Sequence, residues 1–562
     1  MKRLSIKEYD FYTQPRDEKK VSNRRYHRYL NTKVIFDRTQ RVIITIFVAM
    51  LLVGCSGKEK EPLRVPEGAQ AGDLVGLAPC KYEANKVEYA ADCGTLVVPE
   101  NRSDQGSRLI ALPVIRVLAL SPDPSEPIFY FTGGPGHSNL HFQHLEGLVE
   151  RHDIIQVSYR GVDGSVTLEC PEVTQAIKEA KPDFLSQESL ANIGEAWTRC
   201  GTRLESEGID LDGYTMPETI EDNEAARVAL GYKHINLLGG SYGTRLEQIY
   251  MWMYPESLHR VAQISVNPPG NMVWEPDYTD SLIEYDADLC AKNPECNART
   301  DNLAETVRNV THNIPGRWLL IPIDPGVVRA GAFMFLMHRG SAAQVYDALM
   351  AAEAGDPSGL ALFSLVGELI FPSANTWGFA ASMAASADLD PTRDYCTEMN
   401  PSGSIMGVPM SEYYWCSLQN GEWPTATIPE EYRQVQPSDV ETLLVSGNVD
   451  FSTPIWPATN ELLPALSKAQ QVTLSEFGHV DDIWNLQPEA TIHLLTTFYD
   501  SGEADDSYYT YQPMDFNVGF ISFPFLAKVL VVVIVLVPLL LAALVWLMVR
   551  RIQRRKAGQA LS

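Results

Sequence analysis

Three residues have the types and the chain order of a nucleophilic catalytic triad. Ser241 lies in GGSYG, directly after an apolar run, and a serine hydroxyl is a weak nucleophile until a base takes its proton. Asp450 follows a later apolar run in the turn GNVD, and His479 follows the next one in the turn FGH. Serine, acid and histidine in this order, each just after a strand, are a known arrangement of such triads. The sequence therefore predicts Ser241 as the nucleophile, His479 as the general base and Asp450 as the acid that orients it.

Glycines surround Ser241 and occur again in a second loop. GGSYG matches the nucleophile elbow G-x-S-x-G, in which the serine is strained and exposed at the end of a strand. The other interpretation of these residues is a glycine-rich turn with a solvated serine. The loop TGGPG, residues 132–136, follows a predicted strand and can direct backbone N–H groups toward the site, beside the amide of Tyr242. Such donors stabilise the oxyanion that forms when a serine attacks a carbonyl.

Parallel strands are needed to bring these loops together. Seven short runs rich in β-branched residues predict strands, and helical stretches such as Thr219–Leu230 and Arg245–Tyr254 lie between some of them. We therefore predict an α/β fold with a mostly parallel sheet flanked by helices, whose first two strands form an antiparallel edge. Residues 272–430 are helix-rich and predict a cap over the active face. The predicted strands are Ile110–Val117, Ile128–Phe131, Ile154–Ser158, Ile235–Leu238, Val261–Val266, Glu441–Val445 and Gln471–Leu474.

Six motifs together carry a family resemblance. They are FTGGPGHS, SYRGVDGS, GGSYGT, SVNPPG, GNVDFSTP and FGH. Over residues 79–495 the chain resembles the prolyl aminopeptidase and tripeptidyl aminopeptidase family of α/β-hydrolases. The resemblance implies the α/β-hydrolase fold with an inserted helical cap, and a serine peptidase that removes residues from peptide N-termini without a cofactor. It also implies that the amides of Gly134 and Tyr242 form the oxyanion hole.

Two positions depart from the motifs of that family. Thr132 stands where the family's HGGPG begins with histidine, and Ser158 stands where its D-x-R-G has the acid. Both departures leave the substrate open. Family members bind the amino group of the substrate with carboxylates of the cap, and Glu398 in DYCTEMN is the predicted residue for this role. A solvated cap glutamate is the alternative interpretation.

The predicted function is that of an aminopeptidase that cleaves proline or short peptides from the N-termini of peptide substrates. A carboxylic ester hydrolase is the first alternative, because the same triad cleaves esters. A non-catalytic binding lipoprotein on the same scaffold is the second. The formal net charge of −26, with basic residues concentrated near the two ends, repels phosphate backbones and argues against a nucleic-acid partner. The oligomeric state is left open.

The N-terminal region predicts an export signal. Val42–Gly54 is an uncharged apolar run, too short to span a membrane comfortably and typical of the core of a signal peptide. Cys55 follows it, as in a bacterial lipobox whose cysteine carries the lipid; an uncleaved signal anchor is the alternative. Residues 1–41 form an unusually long basic segment, for which an over-extended start is a second explanation.

The C-terminal region predicts a transmembrane helix. Val529–Val549 is an uninterrupted apolar run about as long as a bilayer core is thick. Arg550 begins a basic cluster that places the C-terminus in the cytoplasm by the positive-inside rule. We therefore predict a protein of the bacterial cell membrane with a periplasmic or extracellular catalytic domain, whose partners are the membrane and a peptide substrate.

Eight further cysteines predict disulfide bonds, because an even number in an exported domain indicates oxidation. Pairing between sequence neighbours is the simplest of the many arrangements, since short loops close easily. A zinc site is the alternative, but no C-x-x-C occurs, and His137, His141 and His144 lack the glutamate of the zinc peptidases, so no metal is predicted. The predicted pairs are Cys80–Cys93, Cys170–Cys200, Cys290–Cys296 and Cys396–Cys416.

These observations divide the chain into nine predicted segments. The catalytic core is split by the cap, and linkers join it to the two membrane-associated ends. The segments are the basic region 1–41, the signal 42–55, a linker 56–78, the first core part 79–271, the cap 272–430, the second core part 431–500, a linker 501–525, the transmembrane helix 526–549 and the basic tail 550–562.

Overall fold

The computed structural model describes residues 63–519 and 521–559, and the side chains up to residue 552. Cys55 and the apolar run before it, with the predictions made for them, lie outside the described residues. Within the described part, the chain forms a central sheet, flanking helices, an inserted helical cap and a long C-terminal helix.

Nine strands rich in Val, Ile, Leu and Phe form one mixed sheet. The strands are β1 Leu74–Ala84, β2 Val87–Pro99, β3 Leu109–Val117, β4 Ser125–Phe131, β5 His152–Val157, β6 Ile235–Gly240, β7 Leu258–Ile264, β8 Glu441–Gly447 and β9 Ala469–Leu474. Across the sheet they follow the order β1-β2-β3-β5-β4-β6-β7-β8-β9. The contacts from β1 through β3 to β5 are antiparallel, and all contacts from β5 to β9 are parallel.

The antiparallel edge lies elsewhere than predicted. Ile128–Phe131 belongs to β4, which pairs in parallel with β5 and β6 near the centre of the sheet, so the prediction of an antiparallel edge at that run is wrong. The edge consists of β1, β2 and β3. β1 begins inside the segment predicted as a linker, and most of its side chains are exposed, so no alternating apolar pattern marks it in the sequence.

Helices pack against this sheet and connect its parallel strands. The helices outside the cap are α1 Pro171–Glu179, α2 Gln187–Ser206, α3 Met216–Leu230 and α4 Tyr242–Met253, with α12 Val480–Leu486 and α13 Pro488–Ser501 near the end of the core. The buried core joins apolar residues of the strands, such as Leu238, Ala262 and Leu443, to Leu494 and Phe498 of α13. Burial of these side chains supplies most of the free energy that holds the helices on the sheet.

The cap lies between β7 and β8. Its helices include α5 Pro276–Lys292, α6 Pro294–Asn297, α7 Leu303–His312, α8 Pro325–Leu336, α9 Arg339–Glu353, α10 Ser358–Ile370 and α11 Trp377–Ala387. A hairpin of Arg317–Trp318 and Ile321–Pro322 and short helical turns at Tyr395–Glu398, Pro409–Ser411, Glu412–Cys416 and Ser417–Asn420 complete it. The structure contains the four disulfides of sequence neighbours, two of them inside the cap.

The chain ends in the helix α14 Phe523–Gln559. The stretch Phe523–Ile552 of this helix is long and apolar enough to cross a membrane. None of its most apolar part is buried against the rest of the protein. Pro538 lies inside the helix. The first turns of α14 pack against α9 and α10 of the cap. The membrane-spanning prediction is consistent with this exposed apolar surface.

The register of the parallel strands brings their carboxyl ends to one edge. Phe131 of β4 lies opposite Gly239 of β6, and Gly240 lies opposite Ile264 of β7. Ile264 in turn lies opposite Val445 of β8. The loops that follow β4, β6, β8 and β9 therefore start at the same edge, where ligand sites of open α/β sheets are found.

Candidate active site

Ser241 occupies a strained turn between β6 and α4. Its φ of 54° and ψ of −123° lie in a region that side chains rarely adopt, and such strain persists only where the surroundings impose it. The Ser241 N–H donates to the carbonyl of Ile264 at 2.9 Å. A Cβ at Gly243 would lie 2.1 Å from the Phe131 carbonyl oxygen, and one at Gly239 would lie 2.5 Å from Glu247 Oε2. The two glycines of the motif are thus required by close packing around the turn.

Asp450 and His479 form a direct pair. His479 Nδ1 lies 2.9 Å from Asp450 Oδ2 and 3.1 Å from Asp450 Oδ1. Burial alone raises the pKa of Asp450, but the neighbouring imidazole and the hydrogen bonds from Thr453 outweigh it, so its pKa lies below the usual value. Asp450 is fully buried and carries its charge next to the histidine, which suits it to orient the ring and stabilise an imidazolium.

Thr453 is a site residue that the sequence analysis did not identify. Its backbone N–H donates to Asp450 Oδ1 at 2.9 Å, and its hydroxyl donates to Asp450 Oδ2 at 2.7 Å. The Ser452 N–H also donates to Asp450 Oδ1, at 2.8 Å. The signal in the sequence is the DFST spacing, because an aspartate followed by Ser and Thr two and three residues later forms an Asx turn.

The histidine loop returns to the nucleophile turn. A Cβ at Gly240 would lie 3.3 Å from both methyl carbons of Val480, so the residue before Ser241 contacts the residue after His479. Among the described residues, no hydrogen bond joins Ser241 Oγ to the His479 ring; in structures without substrate this contact is often long and tightens in the complex. The three predicted triad residues thus converge at one edge of the sheet.

The glycine-rich loop after β4 lies beside Ser241. A Cβ at Gly133 would lie 2.9 Å from Ser241 Cβ, and one at Gly134, whose φ is +68°, would lie 2.5 Å from His137 Nδ1. Within the described part of the chain, the N–H groups of Gly134 and Tyr242 donate to no protein group. Tyr242 is the first residue of α4, where a helix leaves its N–H groups free and its dipole favours negative charge. The two amides are therefore available for an oxyanion.

The structure shows the contacts of Thr132 and Ser158, the two positions that depart from the family motifs. The Thr132 N–H donates to Asn139 Oδ1 at 2.7 Å, which fixes the start of the loop. Ser158 Oγ donates only to the adjacent Tyr159 carbonyl, at 3.3 Å. Arg160 is fully buried and donates from Nε and Nη2 to the two oxygens of Asp222, both at 2.7 Å. Asp222 thus supplies the carboxylate for this arginine from α3, so Ser158 leaves no buried charge unpaired.

Glu398 lies on the surface of the cap. Its side chain is 43% exposed, and Arg393 Nε donates to Glu398 Oε2 at 2.7 Å. The N–H of Asp394 and the Arg393 guanidinium lower the pKa of Glu398. Arg393 also donates to both oxygens of Glu275, at 2.7 and 3.1 Å. A substrate amine at Glu398 would therefore compete with an arginine that is already in place.

His137 and His144, two of the three histidines weighed as metal ligands, lie in different surroundings. His137 lies against Gly134, as described above, whereas the ring of His144 stacks on Trp484 with centroids 4.4 Å apart. In the described ranges, no three His, Cys, Asp or Glu side chains are placed to hold a metal ion.

The cap contacts both the loop of His479 and the glycine-rich loop after β4. The His479 N–H donates to the carbonyl of Met337 at 2.7 Å, and the rings of His338 and His479 lie 6.2 Å apart. At the other loop, the Thr376 N–H donates to the Gly136 carbonyl at 3.2 Å. A small recess next to Thr453 is lined by residues of the cap base and the acid loop, among them Asn267, Trp274, Glu275, Tyr278 and Phe451.

The parallel sheet, the serine elbow and the acid–histidine pair define an α/β-hydrolase fold, and comparison with known proteins confirms the predicted fold class. A family model described as the alpha/beta hydrolase fold matches residues 126–285. The chain is 28% identical over 213 residues to the tripeptidyl aminopeptidase of Streptomyces lividans, covering 34% of this chain and 39% of that protein. It is 29% identical over 269 residues to serine protease Hip1 of Mycobacterium tuberculosis, covering 44% of this chain and 51% of that protein.

The chain spans about half or less of the length of these curated relatives. Among solved structures, a thermophilic esterase from Thermogutta terrifontis aligns over 72% of this chain and 98% of its own, with 12% identity and a TM-score of 0.32. The resemblance to α/β-hydrolase serine peptidases that the motifs indicated is confirmed by the two peptidases.

Proposed function

We propose that the protein is a membrane-tethered serine hydrolase, an aminopeptidase that cleaves proline or short peptides from the N-termini of peptide substrates. The observation that carries the proposal is the buried Asp450–His479 pair, 2.9 Å apart, next to the strained elbow of Ser241. A strained serine beside an oriented imidazole is the arrangement that activates a hydroxyl for attack.

The proposed reaction proceeds through an acyl-enzyme. Ser241 Oγ attacks the carbonyl carbon of the scissile bond while His479 takes its proton, and Asp450 stabilises the imidazolium. The amides of Gly134 and Tyr242 donate to the oxygen that becomes negatively charged. His479 then gives the proton to the leaving amine, and water, activated by the same imidazole, releases the acyl group and restores Ser241.

The peptidase assignment is supported by the names of the two relatives and by the cap above the site. A tripeptidyl aminopeptidase and a serine protease are the proteins that the chain resembles. In the proposal, Glu398 binds the free amine of the substrate, a contact between a cation and a carboxylate. Membrane attachment by α14, and by a lipid on Cys55, places the catalytic domain on the periplasmic or outer side of a bacterial membrane.

One observation favours a second candidate function, a carboxylic ester hydrolase. Arg393 already neutralises both Glu398 and Glu275, so neither carboxylate of this group is free for an amine. An ester has no amine to recognise, and the same triad and oxyanion donors cleave it.

A fluorophosphonate probe and a substrate panel test the proposal. The native protein is expected to be labelled at Ser241, and Ser241→Ala should abolish labelling and lower turnover by about 10⁴-fold or more. A variant that retains a tenth of the activity would rule Ser241 out as the nucleophile. A non-catalytic scaffold would remain unlabelled.

The panel compares peptide amides with free and N-acetylated ends, together with short acyl esters. An aminopeptidase should prefer the free amine by about tenfold or more, since a charge-assisted contact contributes roughly that much. If peptides with free and with N-acetylated ends are cleaved equally, the aminopeptidase assignment is wrong and the carboxylic ester hydrolase becomes the favoured function. A preference that survives Glu398→Gln would leave the activity in place and assign the amine to another group.

A further inference from the structure

The loop that carries His479 contains a strained, buried glutamate. Glu476 follows β9 and precedes His479 by three residues, its φ is +57°, and only 4% of it is exposed. A glutamate in this left-handed region persists only where its surroundings hold it. The proposed triad does not use this carboxylate.

Two groups from the C-terminal segment hold the carboxylate of Glu476. The Tyr511 hydroxyl donates to Glu476 Oε1 at 2.5 Å, and the N–H of Met514 donates to Glu476 Oε2. The hydrogen bond to Glu476, with burial, raises the pKa of Tyr511 to about 12. The backbone N–H of Glu476 donates to Asn448 Oδ1 at 2.6 Å, which joins the loop to the turn that carries Asp450.

These groups belong to a segment that we call the strap, residues 509–517. The strap contains neither helix nor strand, and the sequence analysis predicted it as part of a linker. It nevertheless lies against both the core and the cap. Arg339 of the cap donates from Nη1 to the Gln512 carbonyl at 3.0 Å and to the Glu476 carbonyl at 3.3 Å, and the rings of Phe516 and Tyr346 lie 6.1 Å apart.

The strap leads directly to the root of α14 on the cap. Gln344 Nε2 donates to the Ile521 carbonyl at 3.1 Å, and the ring of Phe523 packs against Phe363 with centroids 4.6 Å apart. The first turn of the apolar helix and the strap therefore both contact the cap, and the strap also contacts the loop of His479.

The cap closes this arrangement from the other side. The N–H of Arg339 and that of Gly478 both donate to Asp482 Oδ2, at 2.9 Å each, and Met337 accepts from the His479 N–H. The loop of His479 is thus held between the cap and the strap, and few of its polar contacts go to the sheet beneath it.

We propose that the strap is a positioning element for His479, with Glu476 as the positioning residue through which it acts. The proposal rests on the proposed function, in which His479 is the general base. By holding Glu476 in its strained conformation, the strap fixes the loop so that His479 Nδ1 faces Asp450. Because the strap also binds the cap, the same contacts hold the cap over the site.

The test uses the full-length protein in detergent micelles and a matched pair of tyrosines. Tyr511→Phe removes the hydroxyl that donates to Glu476 and keeps the ring. Tyr508→Phe is the control. Tyr508 lies three residues before Tyr511, just outside the strap, and its ring stacks on His493 with centroids 3.8 Å apart. Active sites are titrated with the fluorophosphonate probe, and turnover is then expressed per titrated site.

Tyr511→Phe is expected to lower kcat per titrated site by about fivefold to tenfold with KM within about twofold, because a misplaced base slows the chemical step more than substrate binding. Tyr508→Phe should match the native protein. Glu476→Gln keeps one acceptor oxygen, so its kcat per titrated site should lie between that of the native protein and that of Glu476→Ala.

A strap that only stabilises the fold gives a different result. Fewer sites would then be titrated in Tyr511→Phe, but each would turn over at the native rate, and this outcome overturns the proposal. If Glu476→Ala does not fold, the tyrosine pair still decides. Failure of the proposed function is recognised separately, because the native protein itself would then not be labelled at Ser241.

Discussion

At Asp450, a carboxylate is fully buried and still carries its charge. Three donors from Ser452 and Thr453, together with the imidazole of His479, replace the water that the carboxylate has lost. The attraction of the His479 imidazole and the hydrogen bonds to the charged form outweigh the desolvation that would otherwise raise the pKa of Asp450. The hydroxyl of Thr453 differs from the two backbone donors, because a substitution can remove it.

Thr453→Val should therefore impair catalysis more than stability. Without its hydroxyl, Asp450 Oδ2 keeps only the imidazole as a partner, so the orientation of His479 is less well defined. We expect kcat to fall by about tenfold, a change typical of one lost hydrogen bond to a charged group. Steady-state kinetics on the best substrate of the panel measures it.

Thr453→Ser is the matched control, because it keeps the hydroxyl and should retain most of the native kcat. Equal losses in the valine and serine variants would show that the methyl group matters instead of the hydrogen bond.

The residues of the candidate site differ in how well the sequence indicates them. Ser241, Asp450 and His479 were predicted because each follows a strand in a glycine-marked turn, and the structure brings the three loops to one edge. Thr453 has only a weak turn signal. Met337 and Glu476 could not have been identified, since one acts through its carbonyl and the other through a segment 35 residues further along the chain.

Among the elements, two cap helices meet at a buried carboxyl group. Asp286 of α5 accepts from the Tyr346 hydroxyl of α9 at 2.6 Å, and its Oδ1 is buried with no hydrogen-bond partner in the described part of the chain. Burial raises the pKa of Asp286 to about 7, although the hydrogen bond from Tyr346 opposes the shift. The folded protein therefore favours the protonated acid, whereas the unfolded chain ionises near its usual pKa of about 3.9.

The direction in which stability changes with pH follows from the difference between the folded and unfolded pKa values of Asp286. Because the folded pKa lies above the unfolded one, the contribution of Asp286 to stability is fully present below about pH 4 and is lost as the pH rises through about 7. Asp286→Asn cannot ionise, so relative to the native protein it should gain about 2–4 kcal/mol of unfolding free energy between pH 4 and pH 8. Denaturant unfolding at both pH values measures the gain.

Asp288→Asn on the same helix is the control, since this residue is exposed and should show a gain near zero. If the free energy of unfolding depended on pH in the same way in the native protein and in Asp286→Asn, the assignment of a protonated buried acid would be contradicted.

Elements with a strong apolar pattern were predicted well, and those held by tertiary contacts were not. The parallel strands β6 to β9 start or end within a few residues of their predicted bounds, because buried strands read as continuous apolar runs. β1 escaped prediction because it is an exposed edge strand. The strap escaped prediction because an extended segment without internal hydrogen bonds has no periodic signal, although its side chains bind two other parts of the molecule.

On the scale of the whole molecule, the proposed topology has two attachments to the membrane, one at each end. Cys55, which carries the lipid in this proposal, lies outside the described residues, whereas α14 presents its apolar surface fully exposed. A lipid with more than one acyl chain, or a single apolar helix, suffices to keep a domain of this size in a membrane fraction. Loss of one attachment should therefore not release the protein.

Deletion of residues 529–562 and the substitution Cys55→Ser test this arrangement singly and together. Each change alone should leave the protein in the membrane pellet after a high-salt wash. The combined change should move it to the supernatant, still labelled at Ser241, since the strap and the catalytic loops remain. Release by the deletion alone would contradict a lipid on Cys55, and retention of the double variant would reveal a further attachment.

The ion pair between Lys528 and Asp356, 2.5 Å apart, has a consequence for how such a molecule meets its substrates. Lys528 is the last residue before the apolar run, and Asp356 lies in the turn between α9 and α10. With a rise of about 1.5 Å per residue, that turn lies within the headgroup layer whenever α14 spans a bilayer. In the proposed topology the domain then stands on the membrane without a stalk, and its encounters are governed by how many substrate molecules occur per unit of membrane area.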